Sequence, residues 1–205
     1  MKKVLLFTFL VLTLFTSLSF ANEFPDVDAS HWAHQYIDEL STKKVINGYT
    51  DGTYKPGGTV KKSEFIKLVM ATCWPVYIDV DEVTGGIDHW SGPYIRFAEA
   101  NNVVKTGEYT LENVEEPITR LEMARIVANA DIMMLHTNTQ FSQELAFNDV
   151  NDLGLNDKYL LSHTVSRGLI TGYEDGTFKP EKTMTRAEAA TMIWRFMKAK
   201  EGGVN

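Results

Sequence analysis

The chain has one cysteine, Cys73, among 205 residues. A lone thiol excludes a disulfide framework and any multi-cysteine zinc or iron–sulfur site. With 6 prolines and 14 glycines the sequence is neither collagen-like nor low in complexity. Positive charge is the scarcer sign: 20 Lys and Arg stand against 27 Asp and Glu, a formal net charge of −7. A general nucleic-acid binder needs the opposite balance. No G-x-S-x-G, H-E-x-x-H or P-loop occurs, so the common hydrolase, metalloprotease and nucleotide signatures are absent. What remains is ordinary globular usage, 44% hydrophobic and 23% charged, with a length that fits one domain or two.

Only one long apolar run occurs, at the N-terminus. Lys2 and Lys3 precede an apolar stretch from Val4 to Phe20, and Ser19 and Ala21 supply the small residues of a cleavage site. Residues 1–21 therefore read as a secretory signal peptide. The run is short for a membrane anchor and has no basic stop-transfer flank. No cysteine follows Ala21, which argues against a lipoprotein. Without the two signal lysines the balance is 18 basic against 27 acidic residues, or −9. The expected mature protein is exported, spans no membrane and binds no nucleic acid. In an oxidising compartment Cys73 reads as a small buried hydrophobe beside Trp74, with an intermolecular disulfide as the alternative.

Internal repetition organises the rest. GYTDGTYKP at 48–56 returns as GYEDGTFKP at 172–180, an offset of 124. VKKSE at 60–64 returns as MTRAE at 184–188 at the same offset, with ITRLE at 118–122 between them. HWAHQYI at 31–37 returns as HWSGPYI at 89–95, and FPDV at 24–27 is echoed by YIDV at 77–80 and FNDV at 147–150. The expected units are 24–73, 77–130 and 147–198, with a linker at 131–146 that begins with the end of a helix. Each unit runs from an aromatic-x-Asp-Val opening through a helix and a turn to a second helix.

The local chemistry supports that plan. Ser30 is a candidate N-cap for the first helix, whose Trp32, Tyr36, Ile37 and Leu40 recur at helical spacing. In the turns, Asp51-Gly52 and Asp175-Gly176 suit a positive φ at Gly. Gly48, Tyr49, Gly172 and Tyr173 complete the two loops, in which Tyr49 and Tyr54 are expected to pack on each other or on the helices. Thr119 with Glu122, and Thr185 with Glu188, form capping boxes that open the second helices. The apolar stripes that follow, such as Phe65, Ile66, Val69 and Met70, read as core. No unit can bury its stripe alone. The expected fold is mainly α: three helix–loop–helix repeats packed as one helical bundle domain of approximate three-fold symmetry.

These elements together resemble the S-layer homology repeat of bacterial surface proteins, over essentially the whole chain after residue 23. The resemblance implies a three-repeat helical fold and non-covalent anchoring to a cell-wall glycan, often a pyruvylated secondary polysaccharide attached to peptidoglycan. It also implies grooves between repeats, in which the Arg of T-R-A-E contacts the glycan. That role falls on Arg120 and Arg186. Each follows a capping Thr, where unpaired helix N–H groups and a guanidinium would suit a carboxylate. Trp32 and Trp90 are candidates for stacking on sugar rings, with core packing as the alternative. Asp26 and Asp88 are candidate acceptors of sugar hydroxyls.

Departures from the pattern weaken individual units. Unit one has Lys62 where the Arg is expected and lacks the capping Thr; an ammonium is a point charge without the planar fork. Unit two has TGEYTLENV in place of the Gly-rich turn. Unit three has Leu155-Asn156 near the expected Trp. One or two working grooves are therefore expected. No carboxylate pair is singled out for glycoside hydrolysis, and His31 with His34 lacks a third convergent metal ligand, so no catalytic residue, metal or cofactor is expected. A protein-interaction subunit of a surface complex, with the repeats as scaffold and another surface protein as partner, is the alternative function.

Overall fold

A computed structural model describes residues 24–74, 87–135 and 145–202. The signal segment 1–21, the YIDV opening at 77–80, residues 136–144 of the expected linker and the last three residues of the chain lie outside the described residues. The protein is mainly α. Its helices are α1 His34–Thr42, α2 Lys62–Cys73, α3 Gly92–Ala100, α4 Arg120–Leu135, α5 Leu155–Ser166 and α6 Arg186–Lys200. Among the described residues the only β pairing is a set of isolated bridges.

The longer helices α2, α4 and α6 touch one another and bury their apolar stripes in one core. Phe65, Ile66, Met123, Ala124, Ile193 and Phe196 are all fully enclosed. Each short helix packs on a long helix: α3 on α2, α5 on α4, and α1 on α6. The last of these pairs brings the two ends of the described chain together. Glu39 of α1 accepts the Trp194 indole N–H at 2.5 Å and the Lys198 ammonium at 2.6 Å. The Lys200 ammonium donates to the Thr72 carbonyl at 2.6 Å and so caps the C-terminal end of α2.

The segments that lead into α2, α4 and α6 are linked in a ring. Val60 N–H donates to the Met184 carbonyl (3.0 Å), Met184 N–H to Ile118 (3.1 Å), and Ile118 N–H to Val60 (2.9 Å). All three side chains are buried. Burial without these bonds would strand three donors and three acceptors, so the ring fixes the three helix starts against each other.

One expectation needs correction. Ser30 does not cap α1: its N–H donates to Asp28 Oδ1 at 2.8 Å in a preceding turn, and the cap position is Ala33 without a side-chain bond. The helix thus begins later than the Ser suggested. Residues 131–135 are the last turn of α4, the helix end expected there, and Asp131 is buried against α5. Tyr54 packs on the start of α6, where its hydroxyl donates to the Arg186 carbonyl at 3.1 Å, and its ring lies tilted beside Phe24 with centroids 5.3 Å apart; the Arg186 guanidinium lies over both Tyr49 and Tyr54.

Candidate functional site: three unequal clefts

The two capping boxes bring Arg120 and Arg186 to the first turns of α4 and α6. Thr119 Oγ1 accepts Glu122 N–H at 3.2 Å while Glu122 Oε2 accepts Thr119 N–H at 2.8 Å. Thr185 and Glu188 repeat the exchange at 3.2 and 2.9 Å. The free N–H groups expected at these starts are absent. Arg120 and Leu121 N–H donate to the Lys182 and Pro180 carbonyls, and Arg186 and Ala187 N–H to those of Gly58 and Pro56. The neighbouring loop fills the helix end, so any anion must be bound by side chains.

Each arginine reaches the loop of another unit. Arg120 Nη2 donates to the Thr171 carbonyl. Its Cζ lies 4.7 Å from the Tyr173 ring and 4.8 Å from the Phe178 ring. Arg186 Nε donates to Tyr54 O at 2.7 Å and Nη2 to Asn47 O at 3.2 Å, with its Cζ 4.8 Å from Tyr49 and 4.5 Å from Tyr54. Contacts of this kind are worth ~1 kcal/mol each and preset the guanidinium. Lys62 sits differently. It is ion-paired to Glu116 (2.9 Å) and Glu122 (3.2 Å), and its positive charge is spent within the protein.

The loops are held by residues whose part is structural. Both oxygens of Asp26 are occupied: Oδ1 accepts Tyr54 N–H at 2.8 Å and Oδ2 accepts Lys55 N–H at 2.7 Å. Burial works to raise its pKa, but the backbone donors prevail and lower it. Asp149 does the same for Phe178 and Lys179 in the third unit. Asp26 thus clamps a loop through both of its oxygens. Asp51 and Asp175 are each bonded to the hydroxyl and N–H of the Thr two residues on and paired with a Lys, which holds both carboxyls at about 2. Gly52 and Gly176 take φ of 81° and 77° in the turns. Gly48 and Gly172 are needed for another reason: a Cβ there would lie 2.5 Å from the Phe24 ring or 2.1 Å from the Phe147 ring.

Three clefts follow. The first, about 280 Å³, is lined by Arg120, Arg195, Trp32, Tyr173 and Glu188 among others. Arg120 is only 7% exposed, and among the described residues only its Nη2 has an acceptor, Nε being buried without one. Burial lowers its pKa. Trp32 is 58% exposed on the rim, so it is not core. Glu188 is occupied by Lys182 (2.5 Å) and by Thr185. The second cleft, about 120 Å³, holds Arg186, Lys67 and Glu64. Trp90 is exposed nearby, with the Lys67 ammonium 5.9 Å from its ring. The third, about 360 Å³, is lined by Arg125, Asn129 and Asn156. Its Arg125 is paired with Glu108 at 2.8 Å and Asp157 at 3.4 Å. Asp88 is exposed ahead of α3. Among the described residues no group of three or more His, Cys, Asp or Glu could hold a metal ion, and no helix is long and apolar enough to cross a membrane.

Arg195 escaped the sequence reading. It lies nine residues after Arg186 and interrupts the apolar run 192–197 of α6, between Trp194 and Phe196. That interruption of the stripe was the available signal, but only the packing of Trp32 and Arg120 around it shows what it faces.

A helical repeat protein whose inter-unit clefts present guanidinium groups beside exposed tryptophans is the class that fold and site define. A model of the S-layer homology domain matches residues 23–66 and 164–190. The chain is 30% identical over 174 residues to an S-layer protein of Bacillus thuringiensis subsp. finitimus, covering 83% of this chain and 21% of that protein. It is 31% identical to the S-layer protein sap of Bacillus anthracis, covering 83% and 20%. It also aligns at 25% identity with the exoglucanase XynX of Acetivibrio thermocellus, covering 80% and 15%. The chain therefore spans about a fifth or less of the length of these relatives. It belongs to the S-layer homology domain family.

Proposed function

We propose that this protein is a non-enzymatic module that anchors to the cell surface by binding an anionic cell-wall glycan, either a pyruvylated secondary polysaccharide or peptidoglycan. The observation that carries this reading is the first cleft: Arg120, buried and preset by Tyr173 and Phe178, opens beside the exposed Trp32. A guanidinium captures a carboxylate through paired N–H donors, and an indole face covers the apolar side of a sugar ring. The relatives support the non-enzymatic part. The same stretch aligns with S-layer proteins and with an exoglucanase, and it is a minor share of each. A segment shared by proteins of such different names is the carrier of what they have in common.

The test is co-sedimentation of residues 22–205 with purified sacculi, before and after chemical removal of the secondary polymer. Arg120→Ala is expected to weaken sedimentation at least tenfold, or about 1.4 kcal/mol, and Arg186→Ala to weaken it less. Binding that survives polymer removal would assign peptidoglycan itself as the target. Failure of the unmodified protein to sediment with any sacculus would overturn the anchoring reading and favour the protein-interaction subunit.

A further inference from the structure

The first cleft contains a second cation that the arginine motif does not explain. Arg195 comes from the middle of α6, two turns away from the capping box, and lines the same wall as Arg120. Among the described residues it has no hydrogen bond or ion pair. Arg120 is more than nine-tenths buried and keeps unused N–H donors. The one carboxylate of the cleft, Glu188, is already neutralised by Lys182 and bonded to the Thr185 N–H. Two like charges thus share a concave, partly buried space whose one carboxylate among the described residues, Glu188, is divided between Arg120 and its Lys182 partner. Burial is the main cause that lowers the Arg120 pKa, and the Arg195 charge adds to it in the same direction while Tyr173 and Glu188 oppose it. Such an arrangement is unfavourable alone and favourable once an anion sits between the two groups.

The other clefts lack this feature. In the second, Arg186 spends two donors on the Tyr54 and Asn47 carbonyls, and the Glu64 carboxylate lines the same cleft as Lys67. In the third, Arg125 is held by two carboxylates. The positions nine residues beyond Lys62 and Arg120 are Ala71 and Asn129, so neither other unit supplies a cation where Arg195 stands.

We infer that Arg195 is a specificity-determining residue: with Arg120 it makes the first cleft a site for a doubly charged acidic group, a dicarboxylate or a phosphate monoester on a sugar, in preference to a single carboxylate. This rests on the proposed function for an anionic glycan as the biological ligand but not for its chemistry; a pyruvyl ketal, with one carboxylate, is then the weaker ligand of this cleft. One molecule then holds one such group tightly, whatever the other clefts contribute.

The experiment is a side-chain NMR titration of residues 22–205 with malonate, inorganic phosphate and acetate, following the Arg120 Nε–H and Trp32 indole signals. Malonate and phosphate separate the two sources of a double charge. At least one of them is expected to shift both signals saturably and to bind at least tenfold tighter than acetate. Arg195→Gln is expected to remove that preference while the Arg120 Nε–H signal stays in its folded position. Arg186→Gln is expected to leave it intact. Equal binding of all three anions, or an unchanged preference in Arg195→Gln, would overturn the inference. The anchoring reading is separate. Sacculus binding undiminished in Arg195→Gln would sink this inference alone, whereas dianion binding without sacculus binding would sink only the anchoring.

Discussion

At the scale of single residues, the Arg120 site depends on positions that never touch a ligand. Gly172 lies against the Phe147 ring so closely that an added Cβ would meet Cε1 at 2.1 Å. Phe147 in turn stacks beside Phe178, centroids 5.6 Å apart, and Phe178 faces the Arg120 guanidinium. Displacing the ring is the only way to admit a methyl group, and overpacking of this kind costs ~1–3 kcal/mol. Gly172→Ala is therefore expected to lower stability by that amount in denaturant unfolding. It is also expected to weaken sacculus binding, because the Thr171 carbonyl that positions Arg120 moves with the loop. Gly176→Ala, at φ 77° with only an ordinary contact to Asn148 Nδ2 at 3.8 Å from its Cβ, is expected to destabilise the turn by ~1 kcal/mol and to leave binding closer to normal. Equal losses of binding in both would contradict the chain of contacts from Phe147 to Arg120.

At the scale of helices, the junction of α4 and α5 is built on charge. Asp131, 1% exposed, accepts His163 Nε2 at 2.8 Å and Arg167 Nε at 2.9 Å. Burial works to raise the Asp131 pKa, but the bonds from His163 and Arg167 outweigh it and the net shift is downward. A carboxyl with a depressed folded pKa stabilises the fold above its unfolded pKa of ~4. That contribution fades as pH falls below it towards the folded value. Asp131→Asn removes the charge and leaves Arg167 half-buried without its partner, at a cost of ~3 kcal/mol near neutral pH. The difference in melting temperature between parent and variant is expected to be largest above pH ~5 and to shrink as the pH falls below ~4. A difference constant over that range would show that Asp131 acts by packing alone. This junction was invisible in the sequence, where residue 131 read only as part of a helix end before a linker. The capping boxes were legible because Thr and Glu three apart declare their bonding locally. The apolar stripes were legible because period 3.6 is a local property too. Asp131 and the occupied helix starts were not, since each takes its partner from a chain segment at least 32 residues away, and Arg195 was not, since Arg120 and Trp32 join its cleft from other units.

At the scale of the whole molecule, the units are not beads on a string. α3 packs on α2, α5 on α4 and α1 on α6, so each short helix rests on a long helix that another repeat contributes. The ring of Val60, Ile118 and Met184 ties the three long-helix starts through backbone bonds alone. Breaking one bond of the ring should loosen all three starts, because each residue of the ring both donates and accepts. Ile118→Pro removes the donor that satisfies the Val60 carbonyl, which is enclosed by buried side chains, and an unsatisfied group there costs ~1–3 kcal/mol. The expected result is a single unfolding transition at a lower midpoint, coincident by far-ultraviolet circular dichroism and by tryptophan fluorescence. Trp194 is the informative reporter, since it lies on α6 and contacts Tyr36 and Glu39 of α1 rather than the mutated segment. If the units folded independently, the Trp194 signal would keep the parent's midpoint while the circular dichroism split into two steps. Coincidence would mean that the clefts exist only when every unit is folded, and that the arginines are aimed by the closed ring rather than by the repeats that carry them.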